Sequence, residues 1–191
     1  DTFVPNPPAY SADLLARAAK IRLACFDVDG TLTDGRLYFD SEGRESKAFH
    51  VLDGQGLVLL RKVGITVAFV TARNSVVAEE RAAELGVEAH IGVKNKQACV
   101  DEIRARLGLS AEQVCFMGDD LPDRVPMQAA GLAVGTAGSA VVFASGYNVG
   151  FGCIEIPPHV DCLLLAPRMI GRGVRELREE GLAVIYITHE L

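Results

Sequence analysis

Cys25-Phe26-Asp27-Val28-Asp29-Gly30-Thr31-Leu32-Thr33-Asp34-Gly35 places two carboxylates two residues apart where an apolar run ends. The run before it, Ile21–Phe26, has the length and composition of a buried strand, and residues i and i+2 of a strand lie on the same side. Asp27 and Asp29 are therefore expected together at a strand tip, with Gly30 turning the backbone sharply. Carboxylates held that close repel each other unless a cation intervenes or one takes a proton. The pattern points to a hard metal such as Mg²⁺, with one Asp as nucleophile.

Outward from this stretch the chain alternates two periods. Short apolar runs at Thr66–Val70, Val87–Ile91, Val114–Met117 and Leu132–Val134 read as strands. Helical spacing fills Gln55–Val63, Ser75–Leu85, Lys96–Leu107 and Asp123–Ala130, and Ser11 reads as the N-cap of a helix running to Lys20. The expected fold class is α/β, a Rossmann-like parallel sheet with helices on both faces. Chemistry in such sheets lies at the carboxyl ends of the strands, where Asp27, Thr71 and Asp119 emerge. One segment breaks the rhythm: Arg36–Phe39 and Arg44–Phe49 flank Ser41-Glu42-Gly43 as a projecting β-hairpin. A two-stranded ribbon carrying Leu37, Tyr38, Phe39, Ala48 and Phe49 needs another surface, so self-association is expected.

Three further motifs follow in order. In Val70-Thr71-Ala72-Arg73-Asn74 a strand ends in a hydroxyl just before a helix, and that hydroxyl with the helix N–H groups suits a phosphate oxygen. Lys96, in Gly92-Val93-Lys94-Asn95-Lys96, is placed to neutralise a phosphoryl group and an attacking carboxylate. Gly118-Asp119-Asp120-Leu121-Pro122-Asp123 supplies more oxygen ligands for a cation. Each has a plain alternative, as turn, cap or solvated charge. Their order at the ends of successive strands makes chemistry the better reading.

Composition narrows the function classes. The chain has 191 residues, 49% of them hydrophobic, and a formal net charge of −6. That suits one domain over 1–191, with no linker or repeat dividing it. The acidic balance without a Lys/Arg cluster argues against nucleic acid or an anionic membrane surface. No apolar stretch reaches membrane-spanning length and the Pro-rich start lacks a secretory pattern, so a cytoplasmic location is expected. Cys25, Cys99, Cys115, Cys153 and Cys162 lack C-x-x-C spacing and read as reduced thiols.

These motifs together resemble the haloacid dehalogenase superfamily of phosphotransferases. Leu32-Thr33-Asp34-Gly35, the run Lys47-Ala48-Phe49-His50-Val51-Leu52-Asp53-Gly54-Gln55-Gly56, Thr71-Ala72-Arg73 and Gly118–Asp123 are similar to its capless 3-deoxy-D-manno-octulosonate 8-phosphate phosphatases, from about Ile21 to Val149. The resemblance implies that Asp27 attacks phosphorus while Asp29 protonates the leaving oxygen and then activates water. It implies that Asp27, the backbone carbonyl of Asp29 and Asp119 hold Mg²⁺, with Asp120 supporting its waters. Thr71 and Lys96 would bind the phosphoryl group, and Gly30, Lys47, Arg73 and Asn74 would face the substrate. Arg73 could pair with a sugar carboxylate. About forty residues separate Asp29 from Thr71, leaving room for the hairpin but not for a cap domain. The family implies a homotetramer in which hairpins assemble and roof adjacent sites.

From Val149 the pattern departs. Gly150–Met169 intervenes, with Pro157-Pro158 and the apolar run Cys162–Ala166, before Gly171-Arg172-Gly173-Val174-Arg175-Glu176 resembles the family's tail. The tail implies Arg172 as a substrate contact supplied to a neighbouring subunit. Val184-Ile185-Tyr186-Ile187 is a short apolar run without a clear partner, and His159 and His189 have no assigned role. Three alternatives stand beside the phosphatase reading: a nine-carbon keto-sugar acid phosphatase, a catalytically silent oligomerisation domain and, more remotely, a phosphomutase.

Overall fold

A computed structural model describes residues 12–135 and the backbone of 162–164. Arg172, the tail from Gly171, Val184–Ile187, His159, His189, Cys153 and the cap Ser11 lie outside the described residues. The central sheet is parallel and six-stranded, in the order β5-β4-β1-β6-β7-β8. Its strands are β1 (Leu23–Phe26), β4 (Thr66–Val70), β5 (Glu88–His90), β6 (Val114–Gly118), β7 (Leu132–Gly135) and β8 (Cys162–Leu164). Helices α1 (Ala12–Lys20), α2 (Val51–Lys62), α3 (Val76–Leu85), α4 (Lys96–Arg106) and α5 (Arg124–Ala129) connect or flank them.

The strands read as unbroken apolar runs because the sheet is buried on both faces. Ala24 and Phe26 of β1, with Phe69 and Met117, pack with Leu57 and Leu60 of α2 and Ala78 and Ala82 of α3. The alternate residues Leu23 and Cys25, with Val70 and Phe116, pack with Val100 and Ile103 of α4 and Met127 of α5. Phe26, Phe69 and Phe116 are fully buried, each contributing roughly 1.5–3 kcal/mol. Cys25 and Cys115 are buried and Cys99 is half-buried, none of them in a disulfide. Among the described residues no helix is long and apolar enough to cross a membrane.

The hairpin, α2, the entry to α5 and residues 162–164 differ most from the sequence reading. The hairpin pairs only β2 (Tyr38–Phe39) with β3 (Glu45–Ser46), antiparallel. Its turn is closed by the Asp40 carboxylate, which accepts from the N–H groups of Glu42 and Arg44, and beyond Ser46 the Lys47 side chain turns inward to Asp29. Helix α2 starts at Val51, before the expected Gln55, because His50 Nδ1 accepts from the Leu52 N–H at 3.2 Å and caps it. Gly54 lies inside α2 where a Cβ would strike the Arg81 guanidinium. The helix expected over Asp123–Ala130 runs over Arg124–Ala129, with a 3-10 turn over Leu121–Asp123 preceding it. Residues 162–164, given no place in the sheet by the sequence, form β8 beside β7.

Candidate active site

The parallel ladder carries the first site residue beyond its strand. Asp27 N–H donates to the Met117 carbonyl at 2.8 Å, extending the β1 and β6 pairing by one residue. The chain then turns at Gly30, whose φ is +88° and where any Cβ would collide with the Asp119 carboxylate. Gly30 thus makes room for Asp119. Asp119 follows β6 directly, and its Oδ1 accepts from the buried Thr31 hydroxyl at 3.0 Å.

Lys96 opens α4, with Asn95 as its N-cap accepting from the Ala98 N–H. A buried cation at a helix N-terminus opposes the helix dipole, so its environment has to compensate. Lys96 Nζ lies 2.7 Å from Asp27 Oδ1 and 2.6 Å from Asp123 Oδ1. Burial alone would lower the lysine pKa, but these two carboxylates outweigh it and hold the value above the ordinary one. Asp123 is wholly buried. Its Oδ2 accepts from the backbone N–H groups of Asp119 and Asp120 at 3.1 and 3.2 Å.

Asp27, Asp119 and Asp123 bring carboxylate oxygens within 4.8 Å of one another. Burial, then the charge of Asp123, pushes the Asp27 pKa up to about 7 although Lys96 pulls it down. Burial also raises Asp119 to about 6, with Asp123 and Asp120 adding repulsion against the Thr31 hydrogen bond. Crowded hard oxygen donors carrying excess negative charge fit a divalent cation. Both oxygens of Asp123 are already engaged by Lys96 and backbone N–H groups, which leaves Asp27 and Asp119 as the free-handed donors and Asp123 as their support.

Two neighbouring carboxylates stand apart from this group. Asp120 does not join the group: its carboxylate is exposed and accepts from the Leu121 N–H at 2.7 Å, capping the 3-10 turn. The Asp29 side chain does not join Asp27 either. Asp29 Oδ1 is paired with Lys47 Nζ, and Asp29 Oδ2 lies 3.8 Å from Arg73 Nε. Each carboxylate of the D-x-D pair therefore has its own cation, because the backbone turns at Gly30 immediately after.

Thr71 extends β4 as Asp27 extends β1, its N–H donating to the His90 carbonyl at 3.0 Å. It is buried, and its Oγ1 accepts from the Arg73 N–H at 3.2 Å, leaving the hydroxyl proton for a ligand. Asn74 is exposed and its amide lies over Gly92, on the loop after β5. Lys47, read as a rim residue, is buried between Asp29 and Glu45. Arg73 does not project alone: its Nη2 donates to Glu45 Oε1 at 2.9 Å. Glu45 Oε2 accepts from the Ser75 hydroxyl at 2.6 Å, tying the hairpin to the start of α3. Burial would raise Glu45, but hydrogen bonds from Ser75, Arg73 and Lys47 hold its carboxyl below the usual range.

Sequence reasoning had not singled out Glu45, and had read Asp123 only as part of its motif. The one local signal for Glu45 was its spacing of two from Lys47, which places both on one face of a strand.

A parallel α/β sheet whose strand ends assemble carboxylates, a buried lysine and a helix-adjacent threonine defines the haloacid dehalogenase class of hydrolases. The 3-deoxy-D-manno-octulosonate 8-phosphate phosphatase of Escherichia coli K12 is 40% identical over 128 residues, covering 66% of this chain and 68% of the relative. A crystal structure of a hypothetical protein from Xanthomonas campestris superposes with a TM-score of 0.71 at 55% identity, covering 74% of this chain and 79% of the other. The Moraxella catarrhalis 3-deoxy-D-manno-octulosonate 8-phosphate phosphatase, solved with magnesium, phosphate and KDO, gives 0.67 at 35% identity, over 69% of this chain and 76% of that one. This chain belongs to the 3-deoxy-D-manno-octulosonate 8-phosphate phosphatase family. Residues 120–189 also match the NADPH-binding domain of acetohydroxy acid isomeroreductase, a stretch of less than half the chain.

Proposed function

We propose that the protein is a Mg²⁺-dependent cytoplasmic phosphatase that hydrolyses 3-deoxy-D-manno-octulosonate 8-phosphate to the free sugar acid and phosphate, a step in making lipopolysaccharide. The observation carrying this reading is Lys96 seated 2.7 Å from Asp27 within the carboxylate group. It combines a nucleophile with a cation able to receive a phosphoryl oxygen.

In this reading an Asp27 carboxylate oxygen attacks phosphorus and forms an aspartyl-phosphate. Asp29 gives its proton to the departing sugar oxygen, then takes one from the water that hydrolyses the intermediate. Thr71 donates its hydroxyl proton to a phosphoryl oxygen, and Lys96 offsets charge on the same group. Asp27, Asp119 and the backbone carbonyl of Asp29 would hold Mg²⁺, which supplies charge neutralisation and alignment of the phosphoryl group when bound. Asp123 keeps Lys96 and the Asp119 backbone in place through the bonds described above. Arg73 and Asn74 face the sugar, with Arg172 reaching in from a neighbouring subunit of a homotetramer, while Lys47, buried between Asp29 and Glu45, holds those two carboxylates. The exposed hairpin residues Leu37, Tyr38 and Phe39 support that assembly, at 52, 41 and 58% exposure.

The test is phosphate release from eight- and nine-carbon keto-sugar acid phosphates and hexose phosphates, with and without Mg²⁺, against Asp27→Asn. A Mg²⁺-dependent preference for the eight-carbon acid is expected. Preference for a nine-carbon acid would move the assignment to that substrate, and no release from folded, metal-loaded protein would overturn the catalytic reading.

A further inference from the structure

Arg73 stands on the loop after β4 with its backbone tied at both ends. Its N–H donates to Thr71 Oγ1 at 3.2 Å, and its carbonyl accepts from the Gly92 N–H at 3.2 Å. The side chain beyond is long and 40% exposed, so without support it would sample many rotamers. Glu45, on β3 of the ribbon, supplies the support. Its Oε1 accepts from Arg73 Nη2 at 2.9 Å, while its Oε2 accepts from the Ser75 hydroxyl at 2.6 Å. Ser75 is buried and is the N-cap of α3, its Oγ accepting in turn from the Ala78 N–H at 3.4 Å. The buried Lys47 Nζ lies 3.3 Å from Glu45 Oε1. The carboxylate is thus held from the start of α3 on one side and by a buried ammonium on the other. A guanidinium is a planar fork, so anchoring Nη2 fixes the direction of Nη1 as well. No described residue takes a hydrogen bond from Nη1.

We infer that Glu45 is a positioning residue for substrate capture, holding Arg73 in its binding posture before the sugar arrives; this rests on the phosphatase reading above, in which Arg73 faces the sugar. An arginine ordered only on binding loses rotamer freedom at that moment, and affinity falls accordingly. One ordered beforehand has lost that freedom on folding. Because Glu45 belongs to β3, the position of the ribbon passes to the substrate site through this carboxylate. Glu45 also acts in the opposite sense, since a negative charge beside Arg73 weakens its pull on an anionic sugar. Posture and charge have opposite signs in KM, which makes them separable. A third route runs through Lys47, which holds Asp29. Along that route Glu45 would alter the chemical step on every substrate, whereas through Arg73 it alters the capture of those that reach the arginine.

The test compares wild type, Glu45→Ala, Glu45→Gln, Arg73→Gln and the double variant Glu45→Ala/Arg73→Gln. KM and kcat are measured with Mg²⁺ on the eight-carbon sugar acid phosphate, on hexose phosphates and on p-nitrophenyl phosphate, with a melting curve for each protein. Glu45→Ala is expected to raise KM for the sugar acid phosphate roughly 2–10-fold, the effect of ordering one long side chain on binding, with kcat changed less than KM. The rise should be smaller on p-nitrophenyl phosphate, which lacks the hydroxyls and carboxylate of the sugar. Glu45→Gln, which keeps the length and an oxygen acceptor, should recover part of the loss. Once Arg73 is replaced Glu45 has nothing to aim, so the double variant should match Arg73→Gln.

A KM that falls in both Glu45 variants would overturn the inference by showing that charge outweighs posture. A kcat loss shared by all substrates, the signature of the Lys47 route, would do the same, as would additive effects in the double variant. Should Glu45→Ala not fold, Ser75→Gly decides, since it removes the hydroxyl that fixes Glu45 while glycine is tolerated at a helix N-cap; an unchanged KM there would overturn the inference. Wild type that prefers another sugar phosphate overturns the substrate assignment, and the Glu45 variants are then judged on that sugar. Release from none of them overturns the phosphatase reading and the inference with it.

Discussion

Replacing Lys96 by Met keeps the length of the side chain and removes the charge between Asp27 and Asp123, 2.7 and 2.6 Å away. Deleting one partner of a buried ion pair costs about 3–5 kcal/mol. For a chain of this size each kcal/mol moves the melting midpoint by about 2–4 °C. Lys96→Met without metal should therefore melt about 6–20 °C below wild type at mildly alkaline pH. The effect depends on pH with a definite sign. Burial and Asp123 already push Asp27 up to about 7, and Lys96 opposes them. In the variant Asp27 holds its proton to higher pH still. A carboxyl whose folded pKa exceeds its unfolded value contributes stability that is present at low pH and lost as pH rises through the folded pKa. The gap between variant and wild type should therefore be small near pH 5, about where Asp27 is neutral in both, and open as pH rises past about 7. Mg²⁺ should narrow it again, since removing the Lys96 cation beside Asp27 tightens the carboxylates' hold on a divalent ion, and a ligand stabilises more the protein that binds it more tightly. The assay is thermal melting at the two pH values, with Mg²⁺ and with chelator. A destabilisation that ignores both pH and Mg²⁺ would refute the argument that Lys96 offsets carboxylate repulsion.

Asp27→Asn should abolish phosphate release while leaving the melting curve cooperative; residual turnover within about tenfold of wild type would remove Asp27 as nucleophile. Gly30→Ala forces a side chain into the space of the Asp119 carboxylate at φ +88°. It should raise the Mg²⁺ concentration for half-maximal activity by about 10–100-fold, measured by Mg²⁺ titration; an unchanged titration would show that Asp119 can move at no cost. Leu37→Asp with Phe39→Asp charges the exposed ribbon and should give monomers by analytical ultracentrifugation, whereas an unchanged sedimentation coefficient would place the subunit interface elsewhere.

The sheet was legible because burial on both faces writes continuous apolar runs into the chain. Thr66–Val70 carries the same bounds in sequence and structure, and Asp27, Thr71 and Asp119 all emerge at the strand ends that the parallel topology predicts. Helix α2 was harder to delimit, since Gly54 and Gly56 lower helix propensity and His50 is not among the usual caps. The role of Asp123 was hidden because a helix-capping aspartate and a lysine anchor look alike locally, and Lys96 lies 27 residues away. Glu45 was hidden for the same reason. Its partners Arg73 and Ser75 stand 28 and 30 residues further on. Strand β8 opens the apolar run Cys162–Ala166, whose place beside β7 shows only in the pairing.

The charges around the strand ends do not cancel. Asp27, Asp29, Asp119, Asp123 and Glu45 face Lys47, Arg73 and Lys96, an excess of two carboxylates over cations. A phosphate monoester is a dianion near neutral pH, and a pocket of that sign repels it until a divalent ion has entered. On the proposed function, loading would be ordered, with metal ahead of substrate. Lowering Mg²⁺ would then act first on capture, raising the apparent KM before it lowers kcat, and free Mg²⁺ would set how much of the proposed substrate must accumulate before flux begins.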